Sequence, residues 1–389
     1  MTASESQTPP PACVRRHLPG LDGIRGLAIL MVMLGHFITI GGHLNHPHPL
    51  SRLLGSGFLG VDLFFTLSGF LITGILVDSK MRQGYFRVFY LRRALRIFPL
   101  YYGLLAASWL SVLWITPHDQ DRLVGHHSML WHWLYASNIG IAANHGNWLL
   151  SPTWVSLGHF WSLAVEEQFY LIWPLLVFLV STQRLKQICS ALVLLSPLVA
   201  LVMIFTIGPL ATYVATPNRC GELAAGAWLA LLWRDPAGWS LLQPHLRKIA
   251  IVTGCILLLE RTVLPSLVFA EPSVALLLGG ACVGLAVSQS GNGHLQQLIN
   301  SSFLRWFGKY SYGIYVYHHA LKPVWVHFLW QRWIVPSLGT GWTATLCYTA
   351  TASMASITLA WLSWRFFEGP LLTLKNRITF PTEPTKTSA

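Results

Sequence analysis

The sequence predicts an all-α fold, a polytopic membrane helix bundle of about ten transmembrane helices with both termini cytoplasmic. Of the 389 residues, 53% are hydrophobic and 10% are charged, whereas about 25% of the residues of an average soluble domain are charged. The apolar residues form stretches of about 20, which is the length of helix that crosses the hydrocarbon core of a bilayer. Short basic runs separate these stretches, as in membrane proteins with several spans.

Ten apolar stretches meet this length criterion. The first lacks a small-residue cleavage site, so we expect an uncleaved helix behind a cytoplasmic tail at 1–20 rather than a signal peptide. The sixth stretch is short, and Glu260 and Arg261 interrupt the seventh. We place the membrane domain at 21–370 and a second cytoplasmic tail at 371–389. The spans are expected near 24–41, 57–77, 97–116, 160–180, 188–208, 219–233, 249–269, 273–289, 310–330 and 342–363.

The distribution of basic residues predicts the topology. With the N-terminus inside, 20 of the 26 Lys and Arg residues fall on the cytoplasmic side and six on the outer side, which is a strong positive-inside pattern. The apolar segment at 129–149 is not counted as a span, because an eleventh span would put Arg184, Lys186 and Arg247 outside. We expect it to form a re-entrant or surface helix in a long outer loop at 117–158.

Charge and cysteine content exclude two classes of partner. A net charge of +12 could indicate nucleic-acid binding, but the basic residues lie between the spans and so indicate topology. The six cysteines show no Cys-x-x-Cys spacing, so we expect neither a disulfide framework nor a structural zinc site. His43, His46 and His48 could bind a metal, but no cysteine or acidic residue accompanies them. We therefore predict no nucleic acid and no metal.

Ionisable residues inside apolar spans indicate function, because a charged group is costly in a bilayer. Arg25 and His36 are eleven residues apart on the first helix, so both lie on one face, about 16 Å apart along the axis. Asp62 lies in the second span, and Glu166 and Glu167 lie in the fourth. The helical rise places His36 and Glu166 at comparable depths. We therefore expect these two side chains to pair.

A buried imidazole beside a carboxylate can act as a general base or a nucleophile. The carboxylate orients the ring and stabilises its protonated form. The alternative is a buried polar pair that only holds helices together. Glu166 and Glu167 point about 100° apart on their helix, so only one of them can face His36 directly.

A basic turn is expected between the second and third spans, with Arg92, Arg93 and Arg96. These arginines could be a positive-inside anchor. They could also form a phosphate site, since guanidinium groups match phosphate oxygens. With Arg25 they would form an anion-binding rim at the cytoplasmic mouth that leads toward His36.

The ninth span carries a polar stripe. Tyr312, Tyr315 and His319 lie at positions i, i+3 and i+7 of one helical face. The stripe could face a substrate, or it could serve as aromatic packing or an interfacial belt. His318 and His319 are adjacent and cannot share that face.

Several segments resemble motifs of the acyltransferase-3 family of integral membrane O-acyltransferases. The first helix resembles the motif in which an Arg and a His are separated by ten residues, here Arg25 and His36. At 218–222, NRCGE stands where the family has a Thr-Arg-x-Asp-like stretch, so the resemblance assigns no role to Arg219. The remaining motifs follow in order along nearly the whole chain: FFTLSGFLI (64–72), RRALRIFPLY (92–101), HFWSLAVEEQFY (159–170), GKYSYGIYVYH (308–318) and FFEGPL (366–371).

The resemblance implies an acyl-CoA-dependent transferase of the bacterial cytoplasmic (inner) membrane, with acetyl-CoA as co-substrate. The implied acceptor is a hydroxyl of a carbohydrate or glycolipid, as in lipopolysaccharide or another surface polysaccharide, reached among membrane lipids. The resemblance also implies roles by position. The expected catalytic residues are His36 and Glu166, with Asp62 as an accessory. Binding of the CoA phosphates falls to Arg25, Arg92, Arg93 and Arg96. The expected substrate-binding residues are Tyr312 and Tyr315, which would line the acceptor side, together with Trp161 and Glu167.

Two mechanisms and two other functions stay open at this point. His36 would either deprotonate the acceptor hydroxyl or carry the acyl group itself. The other functions are acylation of a small molecule such as a macrolide, and transport or flipping of a lipid-linked glycan, which a polar intramembrane track also suits. Some family members carry a periplasmic esterase-like domain, which is not expected here, and no particular oligomeric state is predicted.

Overall fold

The computed structural model describes residues 18–41, 53–115, 129–144, 147, 155–262, 271–288, 293–375 and 377–381. Within these ranges every regular element is helical, which confirms the all-α prediction. The principal helices are α1 (Pro19–Ile38), α2 (Leu59–Ser79), α3 (Tyr85–Ile115), α4 (Ser137–Ala143), α5 (Trp161–Leu179), α6 (Thr182–Ile207), α7 (Pro209–Val214), α8 (Thr216–Trp233), α9 (Pro236–Leu242), α10 (Leu246–Thr262), α11 (Glu271–Val287), α12 (His294–Ile299), α13 (Ser302–Ala320), α14 (322–338, π-helical at Val326–Ile334), α15 (Trp342–Ser363) and α16 (Gly369–Lys375).

Several helices have the length and hydropathy of membrane spans. The side chains of Leu194, Leu198 and Phe205 on α6 are 78%, 57% and 77% exposed, as expected of a surface that faces lipid. The protein is therefore an integral membrane protein, while the number of ten spans and the cytoplasmic side of both termini stay predictions. Five helical stretches in the described ranges are long and apolar enough to cross a bilayer: Pro19–Ile38, Ser56–Ser79, Gly158–Leu179, Thr182–Ile207 and Pro236–Glu260.

Two predicted segments have different boundaries. The basic segment that we expected as a turn is helical, because α3 begins at Tyr85 and continues through Pro99. The ninth span, expected near 310–330, is wrong in its bounds. Its helix begins after Ser301, whose side chain accepts a hydrogen bond from the N–H of Leu304, and it ends at Ala320. The chain turns at Leu321 before α14.

The segment at 129–149 is not one continuous helix in its described part. A short helix at 129–133 is followed by a turn, in which Tyr135 has a φ of 50°, and then by α4. Both short helices bury side chains, including His132 and Asn138. The segment therefore packs into the protein as two short pieces, and its described part does not form a span.

α1 and α13 lie in unusually close contact, and glycines make this possible. A Cβ atom at Gly26 would lie 1.9 Å from the carbonyl oxygen of Leu304, and one at Gly308 would lie 1.9 Å from that of Asp22. Small residues allow membrane helices to approach this closely. The contact brings the last turn of α1, with His36, beside the last turn of α13, with His318 and His319.

Candidate active site

A basic cavity of about 360 Å³ lies between α1, α2, α3, α5 and α13. We call it the inner cavity. The structure brings together all four arginines that the sequence analysis assigned to phosphate binding, since each lines this cavity: Arg25, Arg92, Arg93 and Arg96. Several are held in place by contacts that the sequence does not show. Arg25 pairs with Asp22 at 2.7 Å, and the Arg92 Nε donates to the carbonyl oxygen of Ile378 at 2.8 Å.

A fifth basic residue of the inner cavity was not predicted. Lys375, at the end of α16, lines the cavity beside the arginines. The sequence analysis placed it in a cytoplasmic tail, because nothing in the local pattern shows that the chain folds back onto α3. Burial, together with the nearby charges of Arg96 and Arg93, lowers the pKa of Lys375 to about 8. The lysine therefore titrates near neutral pH.

Glu166 lies among these basic groups and not beside His36. It lines the inner cavity, where the hydroxyls of Ser68 and Tyr170, which hydrogen-bond to each other, and the Arg93 guanidinium lie near its carboxylate. The Arg93 guanidinium also lies over the ring of Tyr170, 4.5 Å from its centroid. The predicted pairing of Glu166 with His36 is therefore wrong, because α5 turns this carboxylate toward the arginines of α3. The catalytic role assigned to Glu166 stays a prediction.

His36 belongs instead to a cluster of four histidines: His36, His159, His318 and His319. The Nδ1 atom of His36 lies 3.0 Å from the Nε2 atom of His318. The rings of His36 and His319 have centroids 4.8 Å apart, as do those of His159 and His319. The sequence analysis missed His159 and His318. Both residues lie within sequence motifs of the family, which could have marked them as candidates, but only the folded chain shows that they lie in one cluster with His36.

The hydrogen bonds of His318 determine which ring nitrogens carry protons. Its Nδ1 atom lies 3.0 Å from the carbonyl oxygen of Ile314 and 2.8 Å from that of Tyr315. Carbonyl oxygens only accept hydrogen bonds, so Nδ1 of His318 carries the proton and, in the neutral ring, Nε2 accepts. His36 must then donate from its Nδ1. Within the described residues, this leaves the Nε2 atom of His36 with a free lone pair, as a nucleophile or general base requires.

Two hydroxyl groups separate the inner cavity from the histidine cluster. Ser162 and Tyr315 line the cavity and hydrogen-bond to each other, and the Tyr315 hydroxyl donates to the carbonyl oxygen of His159 at 2.8 Å. We call this pair the hydroxyl layer. The cavity therefore leads toward His36, as predicted, but ends one layer short of it, because His36 is not among the residues that line it.

The residues assigned to substrate binding are divided by the structure. Tyr312 and Tyr315 line the inner cavity with the arginines, and their role on the acceptor side stays a prediction. Trp161 packs against Phe65. Glu167 is partly buried, and its Oε1 atom has no hydrogen-bond partner within the described ranges. Neither Trp161 nor Glu167 lines the inner cavity.

Asp62 pairs with an arginine and not with the histidines. Its carboxylate lies 2.9 Å from the guanidinium of Arg219, which is also 2.9 Å from Glu222. Arg219 is 2% exposed, and its guanidinium lies over the Tyr213 ring. The arginine of α8 thus holds the carboxylate, and the accessory role of Asp62 stays a prediction. The group joins α2 to α8.

A second cavity, of about 490 Å³, lies on the other side of the histidine cluster and is lined by Ser156, His319, Lys322, Pro323, Val326, His327 and Gln331. We call it the outer cavity. The Oγ atom of Ser156 lies 3.2 Å from Nδ1 of His319. The histidine cluster therefore lies between two cavities. In the described part of the chain no group of three or more His, Cys, Asp or Glu side chains is placed to hold a metal, and His43, His46 and His48 lie outside the described residues.

Comparisons with known proteins give one consistent result. A family model described as an acyltransferase domain matches residues 18–365. The chain is 31% identical over 378 residues to a peptidoglycan O-acetyltransferase of Listeria monocytogenes, a match that covers 92% of this chain and 56% of the relative. It is 32% identical over 343 residues to a Bacillus subtilis protein that is provisionally named a peptidoglycan O-acetyltransferase, with 79% of this chain and 49% of the relative covered. The chain thus spans about half the length of these relatives. No solved structure matches it.

Proposed function

The chain belongs to the acyltransferase family, and from that membership we propose that it is an O-acetyltransferase that takes an acetyl group from acetyl-CoA on the cytoplasmic side of the membrane. We propose a hydroxyl of a cell-surface glycan as the acceptor. Peptidoglycan or its precursor is the glycan that the names of the relatives favour. The observation that carries the proposal is the arrangement of the site, in which a cavity with five basic groups approaches an imidazole whose Nε2 lone pair is free.

The inner cavity has the charge that the donor requires. CoA carries several phosphate groups, and guanidinium groups bind phosphate through paired hydrogen bonds. Two carboxylates lie among the five basic side chains: Asp22 pairs with Arg25, and Glu166 lies near Arg93 and Arg96. The excess of positive charge suits a polyanion. Beyond the arginines the walls are apolar and end at Ser162 and Tyr315, a lining that suits the uncharged pantetheine arm and its thioester.

Two balanced routes fit the histidine cluster. In the first, the Nε2 atom of His36 attacks the thioester carbonyl, the C–S bond breaks and CoA leaves as the thiolate. The acceptor oxygen then takes the acetyl group from His36, and its proton goes to the thiolate. In the second, Nε2 accepts the proton of the acceptor hydroxyl, the oxygen attacks the thioester directly, and His36 passes the proton to the departing thiolate.

In both routes His318 acts as a positioning residue. The lone pair on its Nε2 atom accepts the hydrogen bond from Nδ1 of His36, which fixes the tautomer and favours positive charge on the His36 ring as the reaction proceeds. His318 does so in place of the carboxylate that the sequence predicted. Its own orientation is fixed by the two backbone carbonyl oxygens that accept from its Nδ1.

The test is transfer of labelled acetyl from acetyl-CoA by the purified protein in lipid nanodiscs. We expect release of CoA and labelling of added peptidoglycan fragments. His36→Ala should lose at least about 10²-fold in rate, while the control His245→Ala, at an exposed turn, should retain full activity. Label retained on His36 when the acceptor is omitted would identify the first route. An active His36→Ala would refute the assignment, and absence of CoA release from the native protein would favour a transporter of lipid-linked glycans.

A further inference from the structure

The outer cavity touches the histidine cluster directly. His319 lines it, and the His319 ring lies 4.8 Å from that of His36, centroid to centroid. The rest of the polar lining consists of uncharged hydrogen-bonding groups and one basic residue, Lys322. A molecule in this cavity would therefore reach the catalytic imidazole from the side opposite to the arginines.

Within the described residues Lys322 has no carboxylate partner, in contrast to several other basic residues of the bundle. Arg219 pairs with Asp62, Arg234 with Asp78 and Lys186 with Asp235. Within the described ranges no acidic side chain pairs with Lys322, and none lines the outer cavity. A partly buried charge without a counter-ion is costly. Within the described residues, the cavity thus offers an anion-binding position that no carboxylate occupies.

The position of Lys322 relates this charge to the reacting groups. It follows His319 by three residues at the start of α14. Its ammonium is close enough to His36, His318 and His319 to interact with all three electrostatically. An anionic group bound to Lys322 would therefore share the outer cavity with His319, whose ring packs against that of His36.

We propose that the outer cavity binds the acyl acceptor and selects an acceptor that carries an anionic group, a carboxylate or a phosphate, near the hydroxyl that is acylated. Lys322 supplies the counter-charge, and Gln331 and His327 supply neutral hydrogen-bonding groups. The inference rests on the proposed function and specifies its acceptor. The shared chemistry is an anionic oxygen, whose source is an acidic sugar or the phosphate of a lipid carrier.

The experiment measures binding separately from catalysis. Three soluble forms of one trisaccharide are titrated into the full-length protein in nanodiscs by calorimetry: a neutral form, a form with one sugar carboxylate and a form with a reducing-end phosphate. We expect the native protein to bind at least one anionic form about tenfold or more tightly than the neutral form, since hydrogen bonds to charged groups are the stronger ones. The two anionic forms identify the source of the charge.

Substitution of Lys322 gives the matched comparison. Lys322→Gln should remove the preference for the anionic form and leave binding of the neutral trisaccharide unchanged, Lys322→Arg should retain the preference, and the exposed control Lys248→Gln should behave as native. In activity assays Lys322→Gln should raise KM for the anionic acceptor about tenfold, with little change in kcat or in KM for acetyl-CoA.

The outcomes separate this inference from the proposed function. Equal binding of the neutral and both anionic forms by the native protein would overturn the inference even if Lys322→Gln failed to fold. An equal loss of kcat with neutral and anionic acceptors in Lys322→Gln would also overturn it, because the lysine would then act on the reaction itself. Charge-selective binding that depends on Lys322, in a protein that releases no CoA, would support the acceptor site and refute the acetyl transfer.

Discussion

The inner cavity takes its charge from five basic side chains on three helices, whereas the outer cavity has a single lysine among hydroxyl, amide and imidazole groups. The histidine cluster lies between them, separated from the inner cavity by the hydroxyl layer and open to the outer cavity at His319. On the proposed function, this difference assigns the binding of a polyanionic donor and the binding of a less charged acceptor to separate residues. Substitutions in each region should therefore change different kinetic parameters.

The largest effect is expected between the cavities, at His318. His318→Phe keeps an aromatic ring but removes the acceptor for Nδ1 of His36, which frees His36 to adopt the wrong tautomer. We expect kcat to fall about 10²- to 10⁴-fold, with KM for acetyl-CoA within about twofold of native. Steady-state kinetics of CoA release measure both values.

A control separates positioning from folding. His327→Phe, which alters the outer cavity without touching the hydrogen bond of His36, should retain kcat for acceptor-independent release of CoA. His318 would have no positioning role if His318→Phe retained the native kcat. The same would follow if its kcat fell, its KM for acetyl-CoA rose and its melting temperature dropped together.

The next effect is expected in the inner cavity, at Arg93. Arg93→Ala removes a guanidinium that lies near Glu166 and over Tyr170. We expect KM for acetyl-CoA to rise about 10- to 100-fold, because a charge-assisted hydrogen bond contributes about 1.5–3 kcal/mol, while kcat changes less. The exposed Arg247→Ala serves as the control.

A truncated donor tests the same point without a substitution. Acetyl-pantetheine lacks the phosphates, so native protein and Arg93→Ala should use it equally poorly. A preserved difference between the two proteins with this donor would show that Arg93 acts on something other than phosphate.

The residues of the inner cavity could be predicted from the sequence more completely than those of the histidine cluster, for a physical reason. Arg92 and Arg96 are four residues apart, so any helix through them presents both on one face. Helical periodicity likewise places Arg25 on the same face of α1 as His36. The partner of His36 is 282 residues away. No local periodicity encodes which helix packs against α1 or which of two adjacent histidines turns toward it.

The carboxylates show the same limit. The depth of Glu166 in its span could be calculated from helical rise, but the direction of its side chain depends on how α5 is rotated against α3. Asp62 was predicted to lie in the second span, and its side chain is buried in the structure, with an exposed fraction of 3%. Its partner Arg219 was not identified, since Arg219 and Glu222 form an ion pair with it only when α8 packs on α2. Burial and helix class follow from composition, whereas pairing requires the tertiary structure.

A smaller effect is expected from pH, through Lys375. Burial first, and then the neighbouring arginines, lower the pKa of this side chain to about 8. The lysine therefore loses its proton in the donor-free protein as the pH rises through about 8, and its attraction for phosphate falls. We expect kcat/KM for acetyl-CoA, which reports the free enzyme, to fall by up to about tenfold between pH 7 and 9.

Lys375→Arg distinguishes this side chain from other titrating groups, because arginine stays charged throughout that range. Its kcat/KM should be flat where that of the native protein falls. An identical decline in both proteins would show that another group causes the pH dependence. The difference in charge between the two cavities would then rest on the four arginines alone.

The smallest effect is expected at the hydroxyl layer, from Tyr315→Phe. The substitution keeps the ring in place but removes the hydroxyl that donates to the carbonyl oxygen of His159 and contacts Ser162. One neutral hydrogen bond contributes about 0.5–1.5 kcal/mol, so we expect acceptor-independent release of CoA to rise about two- to fivefold as the layer loosens. Tyr310→Phe, on the same helix but away from the inner cavity, is the control. A fall in acceptor-independent release of CoA would instead show that the Tyr315 hydroxyl assists the transfer. The hydroxyl layer would then be part of the catalytic group and not only the boundary of the inner cavity.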